Sequence, residues 1–522
     1  MAKAQKSRAS KTAYVSPLQM ELLGFESPFG KHLDPSNRWV KLAGQIPWDK
    51  IVNVYQKRLN NSIRGAGGIN PRVAIGAIFI KHVCDLSDRE TIQQIQENVY
   101  MQYFIGYSSF SYEPVFDSSL FVELRKRFGA EQINQINETI MGLANSEIKD
   151  NKGNAEQNNE DDEDGSCSEE RNKPAGTIQE DQIVDLPPNK GALLVDATAC
   201  PQDISYPTDL NVLNDAREKS EELIDVVYGK IKLTDEAKPK PRTYREIARK
   251  EYLRVAQKKH KTKKEIRHAL RKQLCYLKRN IKYIHQLLED HGKIPLNKKK
   301  YKYLLVIQTL YDQQKWMYDN RIHSVEDRIV SIHQPHVRPM VRGKTNANVE
   351  FGAKIQMSIM NGITFLEDVS WDAFNEGTRL ISTVENYKRR FGYYPQKVFA
   401  DKIYCNRANR AKLKALNILL VAKPLGRPSL AVDNHIRPGE RNPIEGKFGQ
   451  AKTAYGMNRI KARLQDTSES WIASIVLVLN LIKLIGRASL SLLLKLHEKY
   501  LIVENLIFIH LRFPSQKIKV FR

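Results

Sequence analysis

Cysteine and long apolar runs are scarce in this chain of 522 residues, and acidic residues are fewer than basic ones. The five cysteines are scattered and form no Cys-x-x-Cys pair, so neither a disulfide framework nor a zinc ribbon is indicated. The N-terminus lacks the apolar core of a signal peptide, and the apolar run over 475–494 is interrupted by Lys483 and Arg487. The sequence therefore predicts a protein of the reducing cytoplasm with no membrane span.

Positive charge is abundant instead. Lys and Arg number 83 against 59 Asp and Glu, which gives a formal net charge of +24. A polyanionic partner is the natural expectation, and nucleic acid is the first candidate. An ordinary basic surface with no such partner is the alternative that composition leaves open.

The first part of the chain reads as helical. Residues 1–15 are predicted to be a basic disordered arm, and 16–145 a helical DNA-binding domain. Within it, Pro71–Cys84 predicts an apolar helix, and Ser87 with Glu90 predicts a capping box. A later helix carries consecutive cations over 125–127. A helix-turn-helix-like DNA reader and an ordinary helical bundle both fit this pattern.

Residues 146–186 have few apolar side chains and a dense acidic block, so they are predicted to be a disordered linker. Beyond it, the strand ending at Asp196 is followed by strand signals at 328–333, 351–360 and 363–369, with Asn361-Gly362 as a hairpin turn between the last two. Helix, strand, helix, strand and helix then alternate. This order predicts an α/β ribonuclease-H-like core over 187–490, with 491–522 as a C-terminal extension.

A helical hairpin is predicted to interrupt this core, as an insertion at about 213–325. Its first arm carries apolar residues in steps of four and three, from Leu270 to Leu288, and 292–295 form the turn. The stripe fits packing between the two arms, and a dimer zipper is the alternative.

Three acids stand where chemistry is expected. Asp196 and Asp401 end predicted strands, and Glu445 lies on a later helix. Carboxylate oxygens suit Mg²⁺ or Mn²⁺, and two such ions can serve phosphoryl transfer, so we predict these acids as catalytic metal ligands. Taken singly, an acid at a strand end is more often a turn residue or a helix cap.

Cations surround the third acid. Arg441 and Lys452 lie near one helix face with Glu445, and further cations follow at Arg459, Lys461 and Arg463. All five are predicted to contact DNA phosphate. A solvated charged face explains them nearly as well.

The three acids and Arg441 lie in segments that resemble those of a known family, the DDE insertion-sequence transposases of the IS-five type. The resemblance covers most of the chain. Its segments are Gln45–Trp48, Ser87–Glu90, Tyr103–Phe104, Leu194–Pro201, Tyr206–Leu210, Ser331–Pro335, Val349–Gly352, Ala400–Asp401 and Arg441–Gly446.

The resemblance implies a ribonuclease-H-like catalytic domain that uses Mg²⁺ and an N-terminal domain that recognises terminal inverted repeats. It also implies joining to target DNA within a synaptic oligomer, which we expect to be a homodimer. Arg441, Glu445 and Lys452 match the spacing of a Tyr-Arg-Glu-Lys signature, but Pro438 stands where that signature has Tyr. Two alternatives remain open: a non-transposing DNA nuclease, and a catalytically inactive DNA-binding protein derived from a transposase.

Overall fold

The computed structural model describes residues 32–56, 68–142, 188–231, 239–291, 296–344, 347–423 and 439–485. The predicted basic arm, acidic linker and C-terminal extension lie outside these ranges, as does Pro438, so they stay predictions. None of the described helices is long and apolar enough to cross a lipid bilayer.

In the described part of the chain before the first strand, the regular structure consists of helices. They are α1 (Arg38–Gln45), α2 (Trp48–Gln56), α3 (Pro71–Val83), α4 (Asp88–Glu97), α5 (Val99–Phe104), α6 (Leu120–Arg127) and α7 (Ala130–Ile140). Helix α3 is buried along its whole length, as its largely apolar sequence predicts, although it contains Arg72, Lys81 and His82. The capping box is confirmed, because Ser87 accepts from the Glu90 N–H and the Glu90 carboxylate accepts from the Ser87 N–H.

Among the described residues, six strands form one mixed sheet. They are β1 (Ala192–Pro201), β2 (Arg338–Lys344), β3 (Ala347–Met360), β4 (Ile363–Ser370), β5 (Lys397–Phe399) and β6 (Leu419–Val421). The order across the sheet is β2-β3-β1-β5-β6, and β4 pairs with β3. β3 runs antiparallel to β1, whereas β5 lies parallel to β1, and β6 parallel to β5. This mixed sheet agrees with the predicted α/β core.

The register of β3 is fixed at two points. Asn361 and Gly362 both have positive φ, so they form the tight turn that the sequence predicts between β3 and β4. Gly352 lies opposite Pro201, and a Cβ there would lie 2.0 Å from the Cys200 carbonyl oxygen. The predicted strand at 328–333 is wrong, because β2 begins at Arg338 instead.

The remaining helices divide into two groups. Four lie between β1 and β2: α8 (Asp209–Ile231), α9 (Arg245–Ala256), α10 (Lys263–His291) and α11 (Lys298–Asn320). Four described helices follow β4: α12 (Leu380–Phe391), α13 (Arg407–Ala415), α14 (Asn442–Ala454) and α15 (Gln465–Ile485).

The inserted helices have an apolar core of their own. Leu274, Leu277 and Ile284 of α10 are buried in it with residues of α8 and α11. The apolar stripe of α10 therefore packs within one chain, which is the reading that the sequence favoured over a dimer zipper. Helix α8 lies mostly within the predicted insertion at 213–325 but was not predicted as an arm of the hairpin, and it supplies much of the partner surface.

The two faces of the sheet bury different helices, because side chains alternate along each strand. Leu193 and Val195 of β1 lie in a core with residues of α12 and α13. Met357 and Ile359 of β3 lie instead in a core that α15 shares with the N-terminal helices. The predicted domain boundary at 145–187 lies outside the described residues, but the N-terminal helices and the sheet share one core.

Polar contacts also join the N-terminal helices to the sheet. Asn137 of α7 donates to the Thr364 carbonyl at 3.1 Å, and Asn480 of α15 donates to the Asn137 side chain at 2.8 Å. Glu138 of α7 accepts from Arg390 of α12 at 2.6 Å, and Arg390 also donates to Glu367 of β4 at 2.6 Å. Such contacts fix how the elements pack, because an unpaired buried charge is costly.

Arg390→Met is expected to destabilise the fold by about 3–5 kcal/mol, because it leaves two buried carboxylates without their shared cation. The Arg390 side chain is 4% exposed. The measurement is chemical unfolding at neutral pH. Arg389→Met is the matched control, since Arg389 also pairs with Glu138 but is 59% exposed, and it should cost less than about 1 kcal/mol. Equal losses for the two variants would contradict the assignment.

Candidate functional site

The two aspartates are brought together by parallel strand pairing. β1 and β5 pair in parallel, with Leu194 opposite Phe399. Asp196 and Asp401 each lie two residues further along, so they occupy equivalent positions beyond the paired segment. Asp196 lies within β1, which continues to Pro201 instead of ending at Asp196 as the sequence predicts, whereas Asp401 follows the end of β5. The two carboxylates therefore lie close together next to the C-terminal end of β5.

Arg441 joins the two carboxylates. This residue is the N-terminal cap of α14, and its Nη2 lies 2.7 Å from Asp196 Oδ2. Its Nη1 lies 3.3 Å from Asp401 Oδ1. One guanidinium thus contacts both carboxylates, one through each of its two terminal nitrogens.

The two acids differ in their surroundings. Asp196 is 16% exposed, whereas Asp401 is 53% exposed. Burial raises the pKa of Asp196 to about 6, although Arg441 and the Ala197 N–H lower it. The Asp401 carboxylate accepts from the Lys402 N–H at 2.8 Å and so caps the short 3₁₀ helix Lys402–Tyr404.

Glu376 was missed by the sequence reasoning. It begins the 3₁₀ helix Glu376–Arg379, pairs with Lys354 at 2.9 Å, and its charge contributes to the raised pKa of Asp196. Burial also raises the pKa of the nearby Tyr404 hydroxyl. No sequence motif indicates that Glu376 lies here, because it comes from the segment after β4 and is positioned by folding.

Glu445 lies in the first turn of α14 and is exposed. It follows Arg441 by one helical turn, so the two residues share a face of the helix. Among the described residues, no three His, Cys, Asp or Glu side chains are grouped closely enough to hold a metal ion. The structure therefore brings Asp196 and Asp401 together without grouping Glu445 with them.

The predicted DNA-contacting cations are distributed around the same region. Lys452 is partly buried on α14, and Arg459 pairs with Asp203 at 2.9 Å. Lys461 and Arg463 are exposed. The segment that carries the last three runs beside the end of β1, because the Ile460 N–H donates to the Pro201 carbonyl. A positive surface therefore follows β1 beyond Asp196.

The basic stretch at 125–127 is not an open row of cations. Arg125 is 6% exposed and donates two hydrogen bonds to Asp88, at 2.9 and 2.8 Å. Lys126 pairs with Glu123. Arg125 also lies against the Trp471 ring of α15, so its role is to pack α6 onto that helix.

Two family models match the chain. Residues 398–482 match a family described as Transposase DDE domain, and residues 27–127 match one described as Transposase domain. The first match includes Asp401 and Glu445. These two segments are therefore similar to domains of DDE insertion-sequence transposases.

A curated relative is an uncharacterized protein, ORF8 of the nfe locus in Rhizobium meliloti, which is 33% identical over 104 residues. The match covers 20% of this chain and 49% of the relative, so the chain spans about half the length of that relative. No solved structure matches the chain.

Members of this family generally use divalent metal ions. Asp196 and Asp401 fit such an ion, because they offer hard oxygen ligands and already share one cation. Glu376 adds further negative charge nearby, and its carboxylate is paired with Lys354. The described donor set for an ion is thus two carboxylates, with Glu445 one helical turn beyond Arg441.

The Asp196→Asn variant is expected to have a higher free energy of unfolding than the native chain, by a difference that grows as pH rises. The folded-state pKa of Asp196 is raised, so the native chain loses stability as pH rises from about 4 to about 6, whereas the Asn variant does not. The difference should reach up to about 3 kcal/mol and then level off. Urea unfolding across this range, with a chelator present, measures it.

Glu138→Gln provides a control of opposite sign. Burial alone would raise the pKa of Glu138, but hydrogen bonds from Arg389 and Arg390 bring it below its usual value. This variant should therefore become relatively less stable as pH rises through the range where Glu138 ionises. If Asp196→Asn shows no pH dependence, the buried-charge assignment of Asp196 is wrong.

Proposed function

We propose that the chain binds the terminal inverted repeats of a mobile element and catalyses metal-dependent DNA cleavage and strand transfer. The observation that carries this proposal is the pair Asp196 and Asp401, held by one guanidinium just beyond the paired segment of the parallel strands β1 and β5. The similarity of two segments to transposase domains favours DNA as the substrate class, and the net charge of +24 suits it.

Asp196, Asp401 and Glu445 are the proposed ligands of two Mg²⁺ or Mn²⁺ ions. Bound ions of this kind lower the pKa of water and stabilise the charge that develops on phosphate oxygens. The two aspartates would fix the position of the scissile phosphate next to the C-terminal end of β5, and Glu445 would approach from α14.

Two displacements at phosphorus make up the proposed reaction. Water attacks a phosphodiester at the element's end, a P–O bond forms, and the P–O bond to the 3′-oxygen breaks, which frees a 3′-hydroxyl. That hydroxyl then attacks a phosphodiester of target DNA and releases a new 3′-hydroxyl. Neither step needs a nucleotide cofactor or a covalent enzyme intermediate, because one bond to phosphorus replaces another.

The cations near the site would hold the DNA. Arg441, Lys452, Arg459, Lys461 and Arg463 are the proposed phosphate contacts, and the last three are exposed whereas Arg441 and Lys452 are partly buried. Arg441 has a further role in the metal-free chain, where it neutralises both aspartates. We also propose that a homodimer brings two element ends together.

A catalytically inactive DNA-binding protein is the second candidate. The observation in its favour is that the described residues do not group Glu445 with the two aspartates. A non-transposing nuclease would use the same acids but would not join the freed end to target DNA.

Asp196→Asn, Asp401→Asn and Glu445→Gln are each expected to abolish Mg²⁺-dependent nicking of labelled DNA that carries the terminal repeats, by about a hundredfold or more. Each variant should still bind that DNA, because removing negative charge near the site does not weaken phosphate contacts. Gel analysis of the cut strand and a binding assay in chelator measure the two properties separately.

Asp215→Asn is the matched control for the nicking assay. Asp215 is an exposed acid of α8 that lies outside the proposed metal set, so its loss should leave nicking unchanged. Native protein that binds the repeats without cutting them would favour the inactive binder. Cutting without joining to target DNA would favour the nuclease.

Arg441→Gln is expected to bind Mn²⁺ about tenfold more tightly than the native chain in the absence of DNA. The guanidinium competes with a metal ion for the same two carboxylates, and a charged hydrogen bond contributes about 1.5–3 kcal/mol. Calorimetric titration measures the affinity. Arg459→Gln, which removes a cation paired with Asp203 instead, should leave it unchanged. Weaker binding to Arg441→Gln would show that the arginine organises the site rather than competing for it.

A further inference from the structure

Positive charge is concentrated in the inserted helices rather than spread over the chain. Residues 240–282 contain 17 Lys and Arg against three Asp and Glu, a net charge of +14 out of +24 for the whole protein. This segment includes α9 and most of α10. None of these residues belongs to the candidate active site.

Helix α10 carries part of this charge as a straight row. Lys264, Arg267, Arg271, Lys278 and Lys282 are all exposed. At 100° per residue they fall within about 60° of one another around the helix axis, and the row is about 27 Å long. We call these five residues the α10 basic row.

The opposite face of α10 explains how the helix is held, but not why the row exists. Leu274, Leu277 and Ile284 pack into the core of the insertion, which leaves the row pointing away from it. Packing would be satisfied by any polar residues at the exposed positions.

Most of the row has no side-chain partner among the described residues. Arg267 lies over the Tyr318 ring and donates to the Tyr318 carbonyl. The side chains of Lys264, Arg271, Lys278 and Lys282 make no ion pair or hydrogen bond with any described residue. Like charges one turn apart destabilise a helix, as do cations near its N-terminus, so these residues are not explained by the stability of α10.

The geometry points to duplex DNA as the partner of this row. We propose that the α10 basic row binds the phosphate backbone of double-stranded DNA without regard to sequence, as a second contact away from the active site. This inference rests on the proposed function for its choice of DNA. The length of the α10 basic row corresponds to about eight base pairs at 3.4 Å each.

Single-stranded DNA fits the row less well. Proteins that bind single strands combine a basic groove with exposed aromatic rings on which bases stack. The exposed positions between Lys264 and Lys282 carry no Phe, Tyr or Trp side chain. A rigid line of point charges matches a rigid duplex, and Lys and Arg on this line can contact phosphates without reading base edges.

The test compares full-length native protein with Lys264→Gln/Arg271→Gln/Lys278→Gln/Lys282→Gln. Binding of a labelled duplex without terminal repeats is measured by fluorescence anisotropy at several salt concentrations, with a chelator present so that no cleavage occurs. The plot of log K against log salt should become less steep by about three to four units, since each lost phosphate contact removes about 0.9. An unchanged slope overturns the proposal.

A matched control separates the row from net charge. Lys298→Gln/Lys299→Gln/Lys300→Gln/Lys302→Gln removes the same charge from α11 in the same insertion, and it should change the slope by less than about one unit. Equal changes for both variants overturn the proposal, because they would reflect charge alone. The variant Lys264→Arg/Arg271→Lys/Lys278→Arg/Lys282→Arg should keep the native slope, which guards against a folding defect.

Two further nucleic acids complete the experiment. Single-stranded DNA and duplex RNA of equal length should show smaller changes than duplex DNA, and a larger change for either one overturns the proposal. Failure of this inference is distinct from failure of the proposed function. If the protein cuts terminal repeats but the row variant binds DNA as the native chain does, only this inference fails. If DNA binding depends on the row but the protein never cuts, only the proposed enzymatic function fails.

Discussion

The contact of Arg441 with two aspartates is the interaction on which the candidate site depends. Parallel pairing of β1 with β5 places Asp196 and Asp401 at equivalent positions, where two like charges lie side by side. Burial makes this unfavourable for Asp196, whose pKa is raised to about 6. A guanidinium that contacts both carboxylates offsets the repulsion, and it also ties the start of α14 to the sheet.

The placement of α14 in turn depends on the core around α15. Ile444 and Phe448 of α14 are buried in the same core as α15, the N-terminal helices and one face of the sheet. Buried polar contacts from Asn137 and Glu138 add direction to this packing, since each has one geometry in which its partner is satisfied. The N-terminal helices therefore support the position of the site as well as forming a candidate DNA-binding region. Arg125 illustrates this, because it packs against Trp471 and pairs with Asp88 instead of facing solvent.

The inserted helices α8, α10 and α11 are packed around a core separate from those that hold the sheet. The insertion has its own apolar core, so its outer surface is free of the packing demands that shape the rest of the chain. Much of the protein's excess positive charge lies there, on α9 and α10. The fold thus places the two paired carboxylates on the interior strand β1 and just after β5, and the exposed cations of the α10 basic row on the inserted helices.

The sequence by itself determined the features that depend on neighbouring residues. Helix α3, the capping box at Ser87, the Asn361-Gly362 turn and the alternation of strands and helices after β4 were all predicted, because local hydrogen bonds and apolar periodicity specify them. The strand expected at 328–333 did not form, since an apolar alternation cannot show whether a neighbouring strand is available to pair with it. Sequence patterns also named Asp196, Asp401 and Arg441, but not the contact between them.

Tertiary structure alone decided which charges meet. Asp196 and Arg441 are 245 positions apart, and Glu376 reaches the same region from a segment without a recognisable motif. Burial and long-range pairing set their electrostatics, and neither quantity is encoded in local spacing. For the same reason, Arg125 read as an open cation in the sequence but is buried and paired in the fold.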